Sequence, residues 1–228
     1  MRVIAGSMLL VILFLSSCVP GSESPVPETG RPDQQEEILL PTPRLSSERS
    51  LEETLSRRRS VRRFTDEELT TQDISQLLWA AQGITREWGG RTTPSAGALY
   101  PLEVYVAMPQ GFYHYEPQGH KMELITRDDL RMEVWKASLK QDAVRDAPAV
   151  FIIAAVYERT AVKYGDRAAR YVHLEAGHAA QNLLLQAVAL DLGGVPIGAF
   201  HDDRLQSALS LPGDHEPLYV IPIGHPAE

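Results

Sequence analysis

One cysteine in 228 residues excludes a disulfide-stapled scaffold and any cysteine-rich metal site. Basic side chains are in deficit as well: 22 Lys and Arg against 30 Asp and Glu leave a formal charge of -8. Nucleic acid is therefore not an expected partner, because phosphate binding needs a net basic face. No segment repeats along the chain. No metal-binding spacing is found either, since His173 and His178 lie five apart on a predicted helix and diverge by roughly 140°. Long apolar runs are missing except for Val3 to Leu15, which is too short to cross roughly 30 Å of hydrocarbon.

That run follows a short basic start, Met1-Arg2, and leads into Leu15-Ser16-Ser17-Cys18, the pattern of a secretion signal with a small-residue cleavage site. Leu-Ser-Ser-Cys resembles the bacterial lipobox. The resemblance implies cleavage after residue 17, lipid on Cys18, and a location in the cell envelope, membrane-anchored and facing the periplasm or the exterior. A plain secretory signal with an incidental cysteine is the alternative. From Val19 to about Ser47 six prolines mix with acidic residues, a composition that cannot bury enough apolar area to offset chain entropy. The expected organisation is a signal at 1–17, a lipidated and disordered tether at 18–47, and one folded domain at 48–228.

Within the domain the patterns predict an α+β or α/β fold. Ser50-Leu51-Glu52-Glu53 reads as a capping box opening a helix to about Arg58, and Thr70 to Asp73 starts a second that Gly83 ends. Leu102 to Met108 suits a strand, and Phe112 to Tyr115 pairs with Lys121 to Ile125 across a Pro117-Gln118-Gly119 turn. Asp128 to Leu139 predicts a helix. Val150 to Val156 is apolar throughout, which suggests a strand covered on both faces. The longest helical pattern runs from Arg170 to Leu192 and stops at Gly193-Gly194. A short helix near Asp202 to Leu209 and a strand at Leu218 to Ile223 complete the chain.

Three segments stand apart from core packing. Pro94 to Pro101 reads Pro-Ser-Ala-Gly-Ala-Leu-Tyr-Pro, in which small side chains at Ser95, Ala96 and Gly97 let the backbone approach a flat or phosphorylated ligand while the prolines limit loop entropy. By itself the run is equally a surface turn before a strand. Taken together with Arg58-Arg59-Ser60-Val61-Arg62-Arg63-Phe64 and with Gly194 to Phe200, its order and spacing resemble the FMN-dependent nitroreductase superfamily. Tyr171 to His178, followed by Gln181-Asn182, is similar to the SagB-type dehydrogenases, the branch that includes thiazole- and oxazole-forming oxidases. The likeness covers about Leu51 to Pro226.

The resemblance implies a central, mainly antiparallel sheet flanked by helices, and a homodimer with FMN at its interface. Arg58, Ser60 and Arg62 would hold the phosphate, for which guanidinium forks and a hydroxyl are suited. Pro94, Ser95, Ala96 and Gly97 would approach the flavin, commonly from the second subunit, and Pro196, Ile197 and Gly198 would lie against its ring with backbone amides toward it. Lys163 and Tyr164 match the pair thought to take a proton while hydride goes to flavin, a role that burial of the lysine would aid; the bland reading is a connecting segment. Glu175 and His178 are expected to serve helix packing or hydrogen bonding near the flavin. Outside the cytoplasm NAD(P)H is scarce, so an oxidase acting on a small or peptidic substrate is favoured. The alternatives are a quinone or nitro reductase driven by NAD(P)H or a partner, and a non-enzymatic flavin-binding lipoprotein.

Overall fold

The computed structural model describes residues 36–227. The Leu15-to-Cys18 motif, with the expected lipidation of Cys18, lies outside the described residues. Seven strands form one sheet: β1 (Glu37–Leu39), β2 (Leu102–Met108), β3 (Gly111–Glu116), β4 (Lys121–Thr126), β5 (Ala149–Ala155), β6 (Gly193–Gly194) and β7 (Glu216–Gly224). Their order is β1-β4-β3-β2-β5-β7-β6, and all neighbouring pairs are antiparallel. Seven helices flank it: α1 (Leu51–Arg57), α2 (Thr71–Gln82), α3 (Arg131–Ala137), α4 (Asp142–Asp146), α5 (Tyr157–Tyr164), α6 (Ala168–Ala189) and α7 (Asp202–Ala208). The fold is α+β.

β5 explains why a wholly apolar strand forms here. Its residues are all buried, and they alternate between two cores. Ala149, Phe151, Ile153 and Ala155 face the α2 and α6 side with Leu77, Leu78, Ala179 and Leu183. Val150, Ile152 and Ala154 face the other side with Val134, Val144 and Leu205 of α3, α4 and α7. α6 reaches the sheet through alanines at 176, 179, 180 and 187, which are small enough for a close helix-to-sheet approach.

Local signals account for both ends of α2 and the start of α1, whereas α3 to α7 open without a side-chain cap. Thr70 and Asp73 form a complete reciprocal capping box, and Gly83 closes α2. At α1 the box is half made: Ser50 Oγ accepts from the Glu53 amide, but the Glu53 carboxylate turns to Arg49 and Arg57 instead of back to Ser50. The helix expected from Asp128 is confined to Arg131–Ala137, because Asp128 and Asp129 spend their carboxylates on Thr126 and Arg131 in the preceding turn. Gly193 and Gly194 do more than stop α6, since they pair with β7 as β6.

The expectation of a disordered tether as far as Ser47 is corrected by the structure. Glu37, Ile38 and Leu39 pair with Glu123, Met122 and Lys121 of β4, and Leu40 is buried in the core. Pro41 accepts from Ser75 Oγ at 2.6 Å, and Arg44 exchanges two hydrogen bonds with the Gln76 side chain. A Pro- and Glu-rich stretch hides Ile38, Leu39 and Leu40, three consecutive apolar residues that suffice to cover an open sheet edge.

His120 anchors this segment: its Nε2 lies 2.8 Å from Ser75 Oγ and 3.2 Å from the Pro41 carbonyl, and its Nδ1 lies 2.9 Å from Tyr115 OH. Burial lowers its pKa against the weaker upward pull of the Pro41 carbonyl. The folded chain thus binds the proton less readily than the unfolded chain, so this contribution to stability is full above about pH 6.5 and declines as pH falls through it. Urea unfolding should show stability declining below that pH in the native chain, with a shallower decline in His120→Gln.

Candidate active site

The Pro94–Pro101 loop is held in a costly conformation by several independent contacts. Ala98 and Tyr100 have φ of 55° and 46°, a left-handed region that L side chains rarely occupy, and Gly97, at 65°, adopts it without that cost. Ser95 Oγ accepts from the Tyr100 amide at 2.9 Å, and the Ser95 carbonyl accepts from the Ala98 amide at 3.1 Å. The Arg91 guanidinium lies over the Tyr100 ring at 4.6 Å, and Arg159 Nη1 donates to the Tyr100 carbonyl at 3.2 Å. Pro101 then enters β2, its carbonyl accepting from Val156.

Arg159 is in turn held by Glu103, which also meets His114 Nε2 at 2.7 Å. Burial alone would raise the Glu103 carboxyl, but His114 and Arg159 outweigh it and hold the group below the usual range. A charged residue between Leu102 and Val104 in an apolar strand was the sequence signal for this brace.

Lys163 and Tyr164 do converge on the loop. A Cβ on Gly97 would stand 3.0 Å from Lys163 Nζ and 3.1 Å from Tyr164 OH, so glycine lets the pair close onto the backbone. They form the last turn of α5, not a connecting segment, and Lys163 is exposed in the single chain, contrary to the burial considered for it. The Tyr164 ring packs on Tyr171 of α6 at 4.7 Å, one helical turn before Glu175.

The structure buries Glu175, a helix position expected to serve packing or hydrogen bonding. It is 3% exposed, its Oε1 has no hydrogen-bond partner among the described residues, and burial pushes its carboxyl up to about 7 against the Ser95 hydroxyl and the Arg91 charge. His178 is exposed, and His173 meets Tyr157 OH at 2.6 Å, so these three residues do not converge.

The arginine-serine segment and the Pro196 turn form a second group. Ser60 bridges to Gly194 in parallel fashion, and the Val61 amide donates to the Gly194 carbonyl at 3.0 Å. A Cβ on Gly193 would stand 2.5 Å from Val61 Cγ2, so glycine permits the contact. No carboxylate among the described residues pairs with Arg58, Arg59, Arg62 or Arg63. In the turn, Ile197 is buried and its amide is committed to the Val220 carbonyl at 2.9 Å. Pro196 has no amide hydrogen, which leaves Gly198, exposed, as the turn residue with a free donor among the described residues.

One chain does not join the two groups. Glu175 sits under the loop and Leu184 packs beneath Gly194, nine residues apart on α6, or about 13 Å at the helical rise. A cleft of about 930 Å³ lies elsewhere, between residues 44–49 and the ends of α2 and α6, and is lined mostly by charged and amide side chains.

Residues 55–225 match the nitroreductase family. The chain belongs to the nitroreductase family. It is 44% identical over 198 residues to the candidate nitroreductase MJ1384 of Methanocaldococcus jannaschii, covering 84% of this chain and 98% of that one. It is 23% identical to the trifolitoxin operon protein TfxC of Rhizobium leguminosarum bv. trifolii, across 75% of this chain but only 54% of TfxC. A crystal structure of a candidate nitroreductase from Ralstonia eutropha superposes with a TM-score of 0.78 at 33% identity, covering 90% of this chain and 97% of that one. The protein is thus an oxidoreductase with the nitroreductase fold.

The brace on the loop is directly testable. Arg159→Met removes both the donor to the Tyr100 carbonyl and the ion pair with Glu103. Amide exchange across residues 96–100 should quicken by about three- to tenfold while exchange in β5 is unchanged.

Proposed function

We propose that this nitroreductase-family protein is an FMN-dependent oxidoreductase of the SagB-type branch, passing hydride from a small or peptidic substrate to FMN. The observation that carries the reading is the set of unpaired guanidiniums at Arg58 and Arg62, flanking Ser60 beside the Gly194 to Gly198 turn. In a chain with a surplus of carboxylates, arginines left without them are suited to an outside anion of about two charges, such as a phosphate monoester.

FMN, when bound, supplies a two-electron hydride acceptor. The chain's own residues then have separate tasks. Arg58, Ser60 and Arg62 bind the phosphate, Gly198 offers an amide to the ring, and the Ser95 to Gly97 backbone covers the ring from a second copy. Lys163 as the neutral amine, or Tyr164 as the phenolate, would take the proton that leaves the substrate as the hydride departs, which balances the loss of two electrons and two hydrogens. The 13 Å between the two groups supports a homodimer, as do exposed Leu51, Leu55, Val162 and Leu174 on three helices that touch through α6.

Flow from substrate to flavin follows from the proposed envelope location on a lipidated Cys18, where nicotinamide donors are scarce. The name of the 44% identical relative favours the second reading, a nitro or quinone reductase supplied by NAD(P)H or a redox partner.

Reconstitution with FMN tests the cofactor and the direction together. The protein should run at twice the chain mass in light scattering and bind FMN, and Arg58→Ala or Arg62→Ala should weaken binding by about ten- to a hundredfold each. Lys163→Ala and Tyr164→Phe should retain flavin yet slow its bleaching by an oxidisable substrate by about 10²–10⁴-fold. Rapid bleaching by NADPH would favour the reductase instead.

A further inference from the structure

Arg91 is a cation held in place with most of its hydrogen-bonding capacity unspent. It stands on the returning arm of a hairpin, where it bridges to Ile84 and the Thr85 amide donates to the Gly90 carbonyl at 2.7 Å. Just beyond, the Thr92 amide donates to the Gly83 carbonyl at 2.9 Å and Thr93 Oγ1 to the Ala81 carbonyl at 2.7 Å, which ties this backbone to the end of α2. The side chain is fixed as firmly. Its guanidinium lies over the Tyr100 ring at 4.6 Å, and Nη1 donates to Gln82 Oε1 at 2.9 Å.

A guanidinium carries five N–H donors in one plane, and Gln82 takes one of them. The parallel pair on Nε and Nη2, the edge that receives a carboxylate side-on, has no acceptor among the described residues. Nor does Arg91 form an ion pair among them. Glu103 is taken by His114 and Arg159, and Glu116 Oε1 accepts from the Gln118 amide at 2.9 Å. Glu175 is buried and its carboxyl is pushed up to about 7, which makes it a poor counter-charge. Burial disfavours the charge on Arg91 more than the field of these three carboxylates supports it. Gln82 adds to the surplus of donors: it is 1% exposed, and with Oε1 committed to Arg91 its Nε2 is buried without an acceptor. A half-buried cation that has lost water without gaining an anion is costly, and an arriving anion removes that cost.

We propose that Arg91 determines specificity for a substrate that bears a carboxylate, whose two oxygens seat on the Nε and Nη2 edge of the fork stacked on Tyr100. This rests on the flavin reading above and narrows its substrate to one with a free carboxylate, whether a small organic acid or an acidic or C-terminal group of a peptide. The FMN phosphate is a separate anion, assigned to Arg58 and Arg62 in the other group of residues. Tyr100 ends the same loop whose Gly97 meets Lys163 and Tyr164, so the fork and the proposed proton acceptors border one stretch of backbone three residues apart. A substrate anchored at Arg91 extends along the loop toward that pair. Stacking on Tyr100 and the bond to Gln82 set the plane of the fork in advance, which reduces the ordering cost of binding.

Benzoate and its uncharged isostere benzamide test this by titration calorimetry on the full chain loaded with FMN. Benzoate should bind, and Arg91→Met should weaken it by about ten- to a hundredfold while changing benzamide by no more than about threefold. Arg91→Lys keeps the charge but not the paired donors, so it should recover only part of the loss. Nitrogen-15 NMR gives a readout independent of catalysis: benzoate should shift one arginine Nε resonance, absent from Arg91→Met, and benzamide should leave it in place.

No binding of benzoate, an unchanged affinity in Arg91→Met, or a loss that benzamide shares in full overturns the proposal. So does an Arg91 Nε resonance that ignores benzoate and moves on dilution to the single chain, since an acid of a second copy then fills the fork. If Arg91→Met does not fold, Arg91→Lys carries the test, with benzoate expected to weaken by about three- to tenfold and an unchanged affinity overturning the proposal. A native chain that binds no FMN overturns the flavin reading and this proposal with it, whereas FMN binding without discrimination between the two probes overturns this proposal alone.

Discussion

The close seating of α6 on the sheet is the constraint from which the rest of the site follows. Alanines at 176, 179, 180 and 187 bring the helix axis near β5, and the side chains that remain large on that face, Val172, Leu183 and Leu184, fill the gap toward α2 and β7. Because the helix cannot shift along its axis without opening these contacts, its polar positions become fixed coordinates. Glu175 is buried one helical turn past Tyr171, which packs on Tyr164 beside the loop, and Leu184 is set under Gly194. A nitroreductase-family chain therefore distributes its chemistry along one rigid rod.

Strain is concentrated where that rod meets the loop. Two positions with positive φ, Ala98 and Tyr100, are expensive in isolation, and they persist because Tyr100 is gripped through its amide, its ring and its carbonyl. Such over-determination exchanges loop entropy for a fixed backbone surface before any ligand arrives, which lowers the ordering cost of binding.

Much of this was legible in the chain, and what was not has physical reasons. β2, β5 and α2 announced themselves because their apolar periods are long and their ends carry Thr-Asp and Gly signals. The arginine-serine segment and the Pro196 turn were recognisable as a pair, and they do meet through Gly194. β1 was invisible because three apolar residues in a proline-rich stretch show no period, and their value arises only from the edge they cover. α5 was missed because Tyr157 to Tyr164 mixes aromatic, charged and β-branched residues without a cap at its start. The sequence pointed to Glu175 as a packing or hydrogen-bonding position but not to its burial, because a carboxylate on a helix looks solvated until tertiary packing is known.

The edge strand also has a mechanical meaning. Any load applied to this domain from its N-terminal side enters at residues 36–44, where it is borne first by the β1–β4 ladder and then by the bonds to Ser75 and Gln76. Those contacts form a sacrificial clasp at one margin of the sheet. The Pro94 loop, the arginine segment and the floor of α6 belong to strands and helices beyond it, so peeling at that edge can fray three residues while the site keeps its shape.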